Sequence, residues 1–272
     1  MCAAMEHRAL EDFADRHQRL FVLTGAGCST NSGIPDYRDS HGNWKRTQPV
    51  TYQAFMGDEL TRQRYWARSL IGWQRFGRAL PNDTHHALAR LEAKGRCELL
   101  LTQNVDRLHQ KAGSRQVIDL HGRLDVVRCM KCGLKISREE FQHELARVNE
   151  HWLAMDAADA PDGDADLEVA DFSSFVVPSC SSCGGVLKPD VVFFGENVSR
   201  DIVATAQGHL QQADAMLVVG SSLMVYSGFR FVRMAAGRGI PIAAINLGRT
   251  RADDLLTLKV EDRCEAALGF LL

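Results

Sequence analysis

Long hydrophobic runs, an excess of charge of one sign and internal repeats are all missing from this sequence. The uncharged stretch at 215–229 has 15 residues, several of them glycine or serine. A membrane-spanning helix needs roughly 20 apolar residues, so this stretch is too short and too polar. Lys and Arg number 32 against 34 Asp and Glu, without the basic excess of a dedicated nucleic-acid-binding domain. We expect neither membrane nor nucleic acid among the partners.

The first twenty residues also lack the pattern of an export or transit signal. They hold Glu6, Glu11, Asp12 and Asp15 among the basic residues, which fits neither a secretory signal nor an acid-poor transit peptide. The chain nevertheless has eight cysteines. Because a chain of this length without an export signal needs no disulfides, the cysteines indicate metal ligands. We expect a cytoplasmic protein.

Apolar runs and helical periodicity alternate along the chain. Near-continuous apolarity is typical of strands buried on both faces, as in a parallel sheet covered by helices. Helical patterns occupy 83–95, 104–113 and 137–155. The alternation predicts an α/β fold, a Rossmann-like, doubly wound parallel sheet with helices on both faces. The predicted strands are 19–24, 97–102, 116–121, 214–222 and 239–247.

Two Cys-x-x-Cys pairs, CMKCG at 129–133 and CSSCGG at 180–185, predict a zinc site. In each pair a glycine directly follows the second cysteine and permits the tight turn between the sulfurs. Four sulfur ligands complete a tetrahedral zinc and leave no position for an activated water, so the expected zinc is structural. The predicted ligands are Cys129, Cys132, Cys180 and Cys183.

Two segments interrupt the α/β alternation. Residues 46–81 have an amphipathic, arginine-rich helical pattern, and the segment between the cysteine pairs contains seven acidic residues at 156–171, which predicts a solvated loop. We expect one domain over 1–272 with two lobes. The large lobe spans about 1–45, 82–125 and 186–272, and the small lobe about 46–81 and 126–185.

A glycine loop follows the first predicted strand, in RLFVLTGAGCSTNSGIPDYR at 19–38. Without side chains at Gly25 and Gly27, a backbone can approach a pyrophosphate closely. Thr30 stands where the common dinucleotide fingerprint has its third glycine, and the polar SGIPDYR follows at once. The loop therefore indicates a phosphate ligand and disfavours a simple dehydrogenase.

Other strand ends carry small or polar residues as well. TQNVDRLH ends a strand where α/β folds bind ligands, although Asn104 as a helix cap and Asp106 in the first helical turn would explain it equally well. DLHG ends another strand with His121, an imidazole able to act as a base near neutral pH, and His109 fits that role equally by spacing. With GSS at 220–222 and NLG at 246–248, these ends indicate an extended ligand along the sheet edge.

In this order, the motifs resemble those of the sirtuins, the NAD-dependent protein lysine deacylases. They are GAGCSTNSGIPDYR, TQNVDRLH, LHG, the two cysteine pairs, KPDVVFFGE, GSS and NLG, between about Leu20 and Cys264. RQRYWAR, APDGD and KPDVVFFGE are most similar to the class II branch of the fourth animal mitochondrial sirtuin, and we expect a bacterial member. The resemblance implies transfer of an acyl group from a protein lysine to ADP-ribose. NAD is then a co-substrate, and nicotinamide and 2′-O-acyl-ADP-ribose are released.

The resemblance also implies roles for individual residues. His121 would be the general base, with Asn104 and Asp106 in the catalytic set. The substrate backbone would add as a β-strand between two segments and contact Val192, Phe193, Phe194, Gly195, Glu196 and Val225. The residues that would bind NAD are Gly25, Ala26, Gly27, Thr30, Ile34, Pro35, Asp36, Tyr37, Arg38, Gln103, Asn104, Asp106, Gly220, Ser221, Ser222, Asn246, Leu247, Gly248 and Cys264.

Two positions bear on regulation and on the choice of acyl group. Cys28 replaces the aliphatic residue usual in the family and would make the cofactor loop oxidisable. Tyr65 and Arg68 match a pair that in some class II sirtuins receives an acyl carboxylate, for which arginine has suitable forked donors. A solvated arginine on a helix is the alternative.

Three functions stay open beside plain deacetylation. They are removal of acidic or long acyl groups (glutaryl, methylglutaryl or lipoyl), protein mono-ADP-ribosyl transfer, and nucleic-acid binding by a zinc ribbon. The acidic run at 156–171 disfavours the last, because a nucleic-acid surface needs basic residues near the cysteines.

Overall fold

The structure is a computed structural model that describes residues 3–39, 41–45, 49–154, 158–159, 165–167 and 171–272. The chain divides into two compact units. Unit 1 comprises Met1–Thr47, Leu80–Leu120 and Val198–Leu272, and unit 2 comprises Gln48–Ala79 and His121–Asn197.

Helices and strands are numbered in chain order. The strands are β1 (Leu20–Thr24), β2 (Cys97–Thr102), β3 (Val117–Asp119), β4 (Gly122–Cys129), β5 (Lys135–Ser137), β6 (Ala158–Asp159), β7 (Ala165–Asp166), β8 (Leu187–Val191), β9 (Ala215–Val219), β10 (Ile242–Ile245) and β11 (Leu258–Val260). The helices are α1 (Ala3–Arg16), α2 (Tyr52–Gly57), α3 (Glu59–Phe76), α4 (Asp83–Ala93), α5 (Leu108–Lys111), α6 (Arg138–Val148), α7 (Arg200–Gln212), α8 (Tyr226–Gly237) and α9 (Cys264–Ala267).

Unit 1 is built on a six-stranded parallel sheet in the order β11-β10-β9-β1-β2-β3. From β1 the chain proceeds to one side through β2 and β3, then returns to the other side of β1 with β9. The direction of winding therefore reverses between β1 and β9, and ligands of such sheets bind at the carboxyl ends of the strands at this point. Thr24 at the end of β1 is level with Thr102 of β2 and Val219 of β9.

Helices cover both faces of this sheet, as the continuous apolarity of the strands predicts. On β1, Leu20 and Val22 belong to a core cluster with residues of α1 and α4. Their neighbours Phe21 and Leu23 belong to a second cluster with residues of α7 and α8. Side chains alternate across a strand, so a strand buried on both faces must be apolar throughout. The predicted doubly wound α/β fold is confirmed.

Two predicted helices are shorter than their patterns. The helix predicted at 104–113 forms only over α5, because Arg107 adopts a left-handed conformation with φ 64° just before it. The helix predicted at 137–155 ends as α6 at Val148. There the Asn149 side chain donates to Leu145 O and to Val176 O, and a 3-10 turn over Glu150–Ala154 follows.

Unit 2 combines an antiparallel sheet in the order β5-β4-β8 with α2, α3 and α6. Its core includes Trp66 of α3, Phe141 of α6 and Leu187 of β8, and the Trp66 indole N–H donates to Leu187 O at 3.2 Å. The acidic loop predicted at 156–171 lies mostly outside the described residues, except that β6 and β7 pair antiparallel within it. Across the described part of both units, no helix is long and apolar enough to cross a membrane.

Candidate active site

Beyond β1 the glycine loop forms two 3-10 turns, Ala26–Cys28 and Thr30–Ser32, in place of an α-helix. Its amides bind the end of β9, since Gly25 N donates to Val219 O at 3.1 Å and Gly27 N to Gly220 O at 2.9 Å. A Cβ at Gly25 would lie 2.8 Å from the Ser221 Cβ, and one at Gly27 would lie 2.9 Å from the Gly220 Cα. The glycines are therefore required by the contact between two strand ends, a reason that the sequence did not reveal.

A buried polar network lies beneath this loop. Ser29 Oγ donates to Asp106 Oδ2 at 2.7 Å and accepts from Asn104 Nδ2 at 3.1 Å. The same amide donates to Gly25 O, and Asp106 Oδ1 accepts from Leu108 N at 2.9 Å. Burial raises the pKa of Asp106 although its hydrogen bonds oppose the shift. Of the two interpretations of TQNVDRLH, Asp106 does support the first turn of α5, but Asn104 is not a cap and instead binds the glycine loop.

Sequence reasoning missed His85, which supports this network from α4. The Asn82 N–H donates to His85 Nδ1, and His85 Nε2 lies 3.4 Å from Ser29 Oγ. Asn82 Nδ2 in turn donates to Cys28 O and to Ser32 Oγ. Burial, reinforced by the neighbouring His86, lowers the pKa of His85 to about 4, so the ring is neutral. The sequence signal for this role was a capping box in NDTHH at 82–86, where the cap Asn82 is followed three residues later by the polar His85.

His109, an alternative base by spacing, lies beneath the strand ends. Its side chain is 1% exposed, its Nε2 lies 2.9 Å from Thr24 Oγ1, and that hydroxyl donates to Thr102 Oγ1. Burial lowers the pKa of His109 well below its usual range. A neutral, enclosed imidazole of this kind holds strands together and is unsuited to proton transfer with a substrate.

The GSS and NLG segments lie at the ends of β9 and β10. Gln103 Nε2 donates to Ser221 Oγ at 2.7 Å and so connects the end of β2 to that of β9. Gly248 N donates to Glu261 Oε1, while the Leu247 side chain is more than half exposed. Ser222 O accepts from Arg251 N. Unit 1 thus brings the glycine loop, Gln103, Asn104, Asp106, Gly220 and Ser221 to the switch point of the sheet.

The rest of the predicted cofactor loop, described over 34–39 and 41–45, begins at the buried Ile34 and folds on itself. Asp36 pairs with Lys45, and Tyr37 O accepts from the Lys45 N–H. Arg38 donates to Gly42 O at 2.7 Å and lies 4.0 Å from the Trp44 ring centroid. Thr30 Oγ1 donates to Gly27 O at 3.3 Å. This part of the predicted NAD site is therefore ordered by its own contacts.

The two cysteines predicted near the cofactor are both buried. Cys28 Sγ donates to Val219 O at 3.1 Å, and Cys264 Sγ lies 3.9 Å from Gly27 O. Burial, together with Cys264, raises the pKa of Cys28 well above its usual range. Oxidation requires an accessible thiolate, so the structure argues against the oxidisable loop expected from the sequence.

His121 is the first residue of unit 2 and lies between β3 and β4. Its carbonyl accepts from Val192 N at 2.8 Å, and Gly122 is paired with Val191. The backbone of the predicted base is thus bound directly to the segment predicted to hold the substrate. Val225, the other predicted substrate contact, is the N-cap of α8 in unit 1.

Residues 192–196, the substrate segment, are anchored from α2. Tyr52 N donates to Phe194 O at 2.8 Å and Gln53 Nε2 donates to Gly195 O at 3.0 Å. Phe193 N donates to Glu196 Oε2. The ring of Tyr65, which is 4% exposed, lies 5.3 Å from that of Phe193, whereas Arg68 is partly exposed one turn further along α3.

The four predicted zinc ligands come together in unit 2. Their sulfurs all lie within 4.8 Å of one another, with Cys129 and Cys183 3.5 Å apart and Cys132 and Cys180 3.8 Å apart. Tetrahedral zinc with Zn–S bonds of about 2.3 Å requires sulfurs about 3.8 Å apart. The cluster therefore fits a structural zinc that these four cysteines would hold.

The surroundings of the sulfurs fit a metal as well. The Cys132 N–H, which donates to Cys129 Sγ, lowers the pKa of Cys129 to about 6, whereas burial raises that of Cys183 to about 12. A divalent cation would offset the cost of ionising the latter. A Cβ at Gly185 would lie 2.8 Å from Cys129 Sγ, so only glycine leaves the sulfurs their space.

Comparisons with known proteins connect this chain to one protein family. The Sir2 family model matches residues 25–227. The NAD-dependent protein deacetylase 2 of Bradyrhizobium diazoefficiens is 79% identical over 270 residues, covering 99% of each chain. The NAD-dependent protein deacylase Sirt4 of Drosophila melanogaster is 45% identical over 94% of this chain and 83% of its own.

Similarity to solved structures covers the same extent of the chain. A structure described as "Sir2-p53 peptide-NAD+" matches with a TM-score of 0.77 and 31% identity, over 97% of this chain and 95% of the other. Another, described as "Sir2 bound to acetylated peptide", also has a TM-score of 0.77 at 31% identity. This chain belongs to the Sir2 family, the sirtuins.

Proposed function

We propose that this chain is an NAD-dependent protein lysine deacylase that transfers the acyl group of a modified lysine to ADP-ribose. The observation that carries the proposal is the network of Ser29, Asn104 and Asp106 beneath the glycine loop at the β1–β9 switch point. Curated relatives named NAD-dependent protein deacetylase support it at up to 79% identity.

In this proposal unit 1 corresponds to the predicted large lobe and unit 2 to the predicted small lobe, except that 121–125 and 186–197, which were predicted in the large lobe, belong to unit 2. Unit 1 binds NAD through the residues predicted from the family, and unit 2 is the smaller lobe with the structural zinc. NAD supplies an electrophilic ribose carbon from which nicotinamide departs. Asn104 and Asp106 orient the bound ribose, because Ser29 and the backbone already fix their side chains.

His121 is the proposed general base and accepts a proton from the ribose hydroxyls. The substrate segment of unit 2 contributes to binding of the acyl-lysine peptide. Main-chain hydrogen bonds give such a site an affinity that depends little on the substrate's side chains. This is suited to an enzyme that acts on many acylated proteins.

The proposed activity is tested with purified protein, NAD and a panel of acyl-lysine peptides. Mass spectrometry should show deacylated peptide together with equal amounts of nicotinamide and 2′-O-acyl-ADP-ribose. Inactivity over the whole panel would refute the proposal. ADP-ribose attached to protein at a comparable rate would favour mono-ADP-ribosyl transfer instead.

The contact of Tyr65 with Phe193 supports a role for α3 in choosing the acyl group. We propose that Tyr65 and Arg68 contact the end of the acyl chain, with the guanidinium selecting acidic chains. In competition, glutaryl and methylglutaryl peptides should then be consumed before acetyl and lipoyl peptides. Arg68→Ala should remove this preference, while Arg64→Ala, at an exposed position of the same helix, should retain it. A preference for neutral chains that Arg68→Ala leaves unchanged would make Arg68 a structural residue.

We also propose that the protein works in the cytoplasm. Cys28, Cys97 and Cys264 are buried free thiols, and the zinc ligands must remain reduced. Thiols persist in the reducing cytosol and tend to form disulfides in oxidising compartments. The bacterial origin of curated relatives that are 79% and 70% identical to this chain supports the same setting.

A further inference from the structure

Lys188 of β8 is a buried lysine with no assigned role in the proposed reaction. Its side chain is 4% exposed. The ammonium donates to Pro189 O at 3.2 Å, to Val191 O and to Glu196 Oε2 at 3.1 Å. It also lies 4.5 Å from the ring centroid of Phe193. All three donors of the ammonium are therefore directed to Glu196 of the substrate segment and to the carbonyls of Pro189 and Val191 just before it.

These contacts hold the substrate segment at both of its ends. Val191 precedes the segment, and Glu196 is its last residue. Glu196 Oε2 also accepts from Phe193 N at 3.0 Å, so one carboxylate joins the ammonium to the middle of the segment. Val192 N donates to His121 O at 2.8 Å. The ammonium is thus connected to the backbone of the proposed general base through two residues, Val191 and Val192.

A buried ion pair is an inefficient way to stabilise a fold. Desolvation lowers the pKa of Lys188, and Glu196 only partly opposes the shift. An apolar side chain of similar volume would often stabilise such a site as well or better. Unlike an apolar side chain, the ammonium can hold three oxygens in place by hydrogen bonds. These are two backbone carbonyl oxygens and one carboxylate oxygen.

We infer that Lys188 is a positioning residue of the deacylase, which fixes the substrate segment for peptide binding and, through Val192, the backbone of His121. The inference rests on the proposed function, because it concerns the same peptide site. It goes further by assigning the affinity for peptide to a residue that itself contacts neither peptide nor NAD.

Lys188→Met tests the inference, because methionine keeps the apolar stem and removes the donors. Lys135→Met is a matched control, since Lys135 forms an exposed ion pair with Asp190 next to the same segment. Lys188→Arg keeps the charge and some of the donors. Peptide affinity is measured without NAD by fluorescence anisotropy, and KM for peptide, KM for NAD and the pH profile of kcat are measured with NAD.

In Lys188→Met, the dissociation constant and KM of the peptide should rise about tenfold or more, as expected for lost hydrogen bonds to a charged group. KM for NAD and zinc content should stay unchanged, and the pH profile of kcat should shift because His121 is less firmly held. Lys188→Arg should recover part of the peptide affinity, and Lys135→Met should match the wild type.

The inference is overturned if peptide affinity and the pH profile are unchanged in folded Lys188→Met, or if KM for NAD rises in parallel. If that variant melts far below the wild type, Lys188→Met with Glu196→Gln replaces it, since no unpaired carboxylate is then left. Unchanged peptide affinity and pH profile in the double variant, or a parallel rise in its KM for NAD, would likewise overturn the inference. If the wild-type protein binds peptide but transfers no acyl group, the proposed function is refuted. The inference about Lys188 is then still decided by comparing the peptide affinities of the wild type and Lys188→Met by anisotropy.

Discussion

The role of general base that the resemblance to sirtuins implies for His121 agrees with the position of this side chain. His85 and His109 are buried and neutral, and both are used in fixing the loop and strand ends of unit 1. His121 is partly exposed and is bound through its backbone to the substrate segment. Of His85, His109 and His121, only the last is partly exposed, which supports its proposed role in proton transfer.

His121→Ala should therefore abolish turnover and spare NAD binding, because the residues proposed to bind NAD belong to unit 1. Turnover is followed by deacylated peptide and NAD affinity by calorimetry. His143→Ala, at an exposed position of α6, is the control and should be fully active. Wild-type turnover by His121→Ala would remove the residue from the mechanism.

His85 also makes the stability of the fold depend on pH. Its pKa is lowered to about 4 from an ordinary value of 6.5, so the unfolded chain takes up a proton before the folded one does. The stabilisation is complete above about pH 6.5 and is lost as the pH falls toward 4, a change of about 3 kcal/mol. In denaturant titrations, His85→Gln should lose less unfolding free energy over this range than the wild type. A parallel decline in both proteins would contradict the assignment, and His109 accounts for the decline that remains in the variant.

At the scale of elements, the sequence predicts strands better than helices. β1 and β2 are mostly apolar, with Glu98 as the charged exception, and their bounds agree with the prediction because a parallel strand buried on both faces requires apolar residues along most of its length. The helix predicted at 104–113 is longer than α5 because Asn104 and Asp106 bind the glycine loop instead. Such contacts with a distant segment cannot be predicted from the local sequence pattern. β4 and β8 were not predicted, since their residues are only partly buried and they pair with strands that are distant in the sequence.

The residues of the candidate site also differ in how well the sequence predicts them. Residues with a distinctive chemistry, such as the four cysteines, are found from spacing alone. Ser29, His85 and Lys188 are ordinary residue types in ordinary patterns, and their importance comes from partners that are distant in the sequence. The NAD and substrate assignments came from the resemblance to sirtuins and stay predictions until they are tested.

Cys180→Ala should disrupt the zinc knuckles and with them the ends of β4 and β8. A knuckle without one thiolate loses most of its metal affinity, and metal binding is part of the folding free energy of such a site. We expect less than a tenth of the wild-type zinc content and a lower melting temperature. Ser181→Ala, between the two cysteines of the same pair, should keep both values. Normal zinc in Cys180→Ala would refute a four-cysteine site.

At the scale of the whole molecule, the tryptophans report on one unit more than on the other. Trp66, Trp73 and Trp152 belong to unit 2, and Trp44 alone belongs to unit 1. Trp66 and Trp152 are buried in the core that adjoins the cysteine cluster. Intrinsic fluorescence therefore follows mainly the folding of unit 2.

Removal of zinc by a chelator should shift this fluorescence to longer wavelength as the two buried indoles become hydrated. NAD binding, measured by calorimetry on the same sample, should persist, because the residues proposed to bind NAD, apart from the general base His121, lie in unit 1. Added zinc should reverse the shift. Loss of NAD binding in step with the fluorescence change would mean that the integrity of unit 1 depends on the metal.

The burial of Lys188 has a chemical consequence for an enzyme whose substrates are modified lysines. The chain has seven lysines, all among the described residues, and Lys188 is the one that is buried. Reactive acyl donors attack uncharged amines that they can reach, so the other six lysines are open to spontaneous acylation and Lys188 is shielded from it. We therefore expect reactive acyl donors to spare Lys188, and with it the peptide site that it is proposed to position.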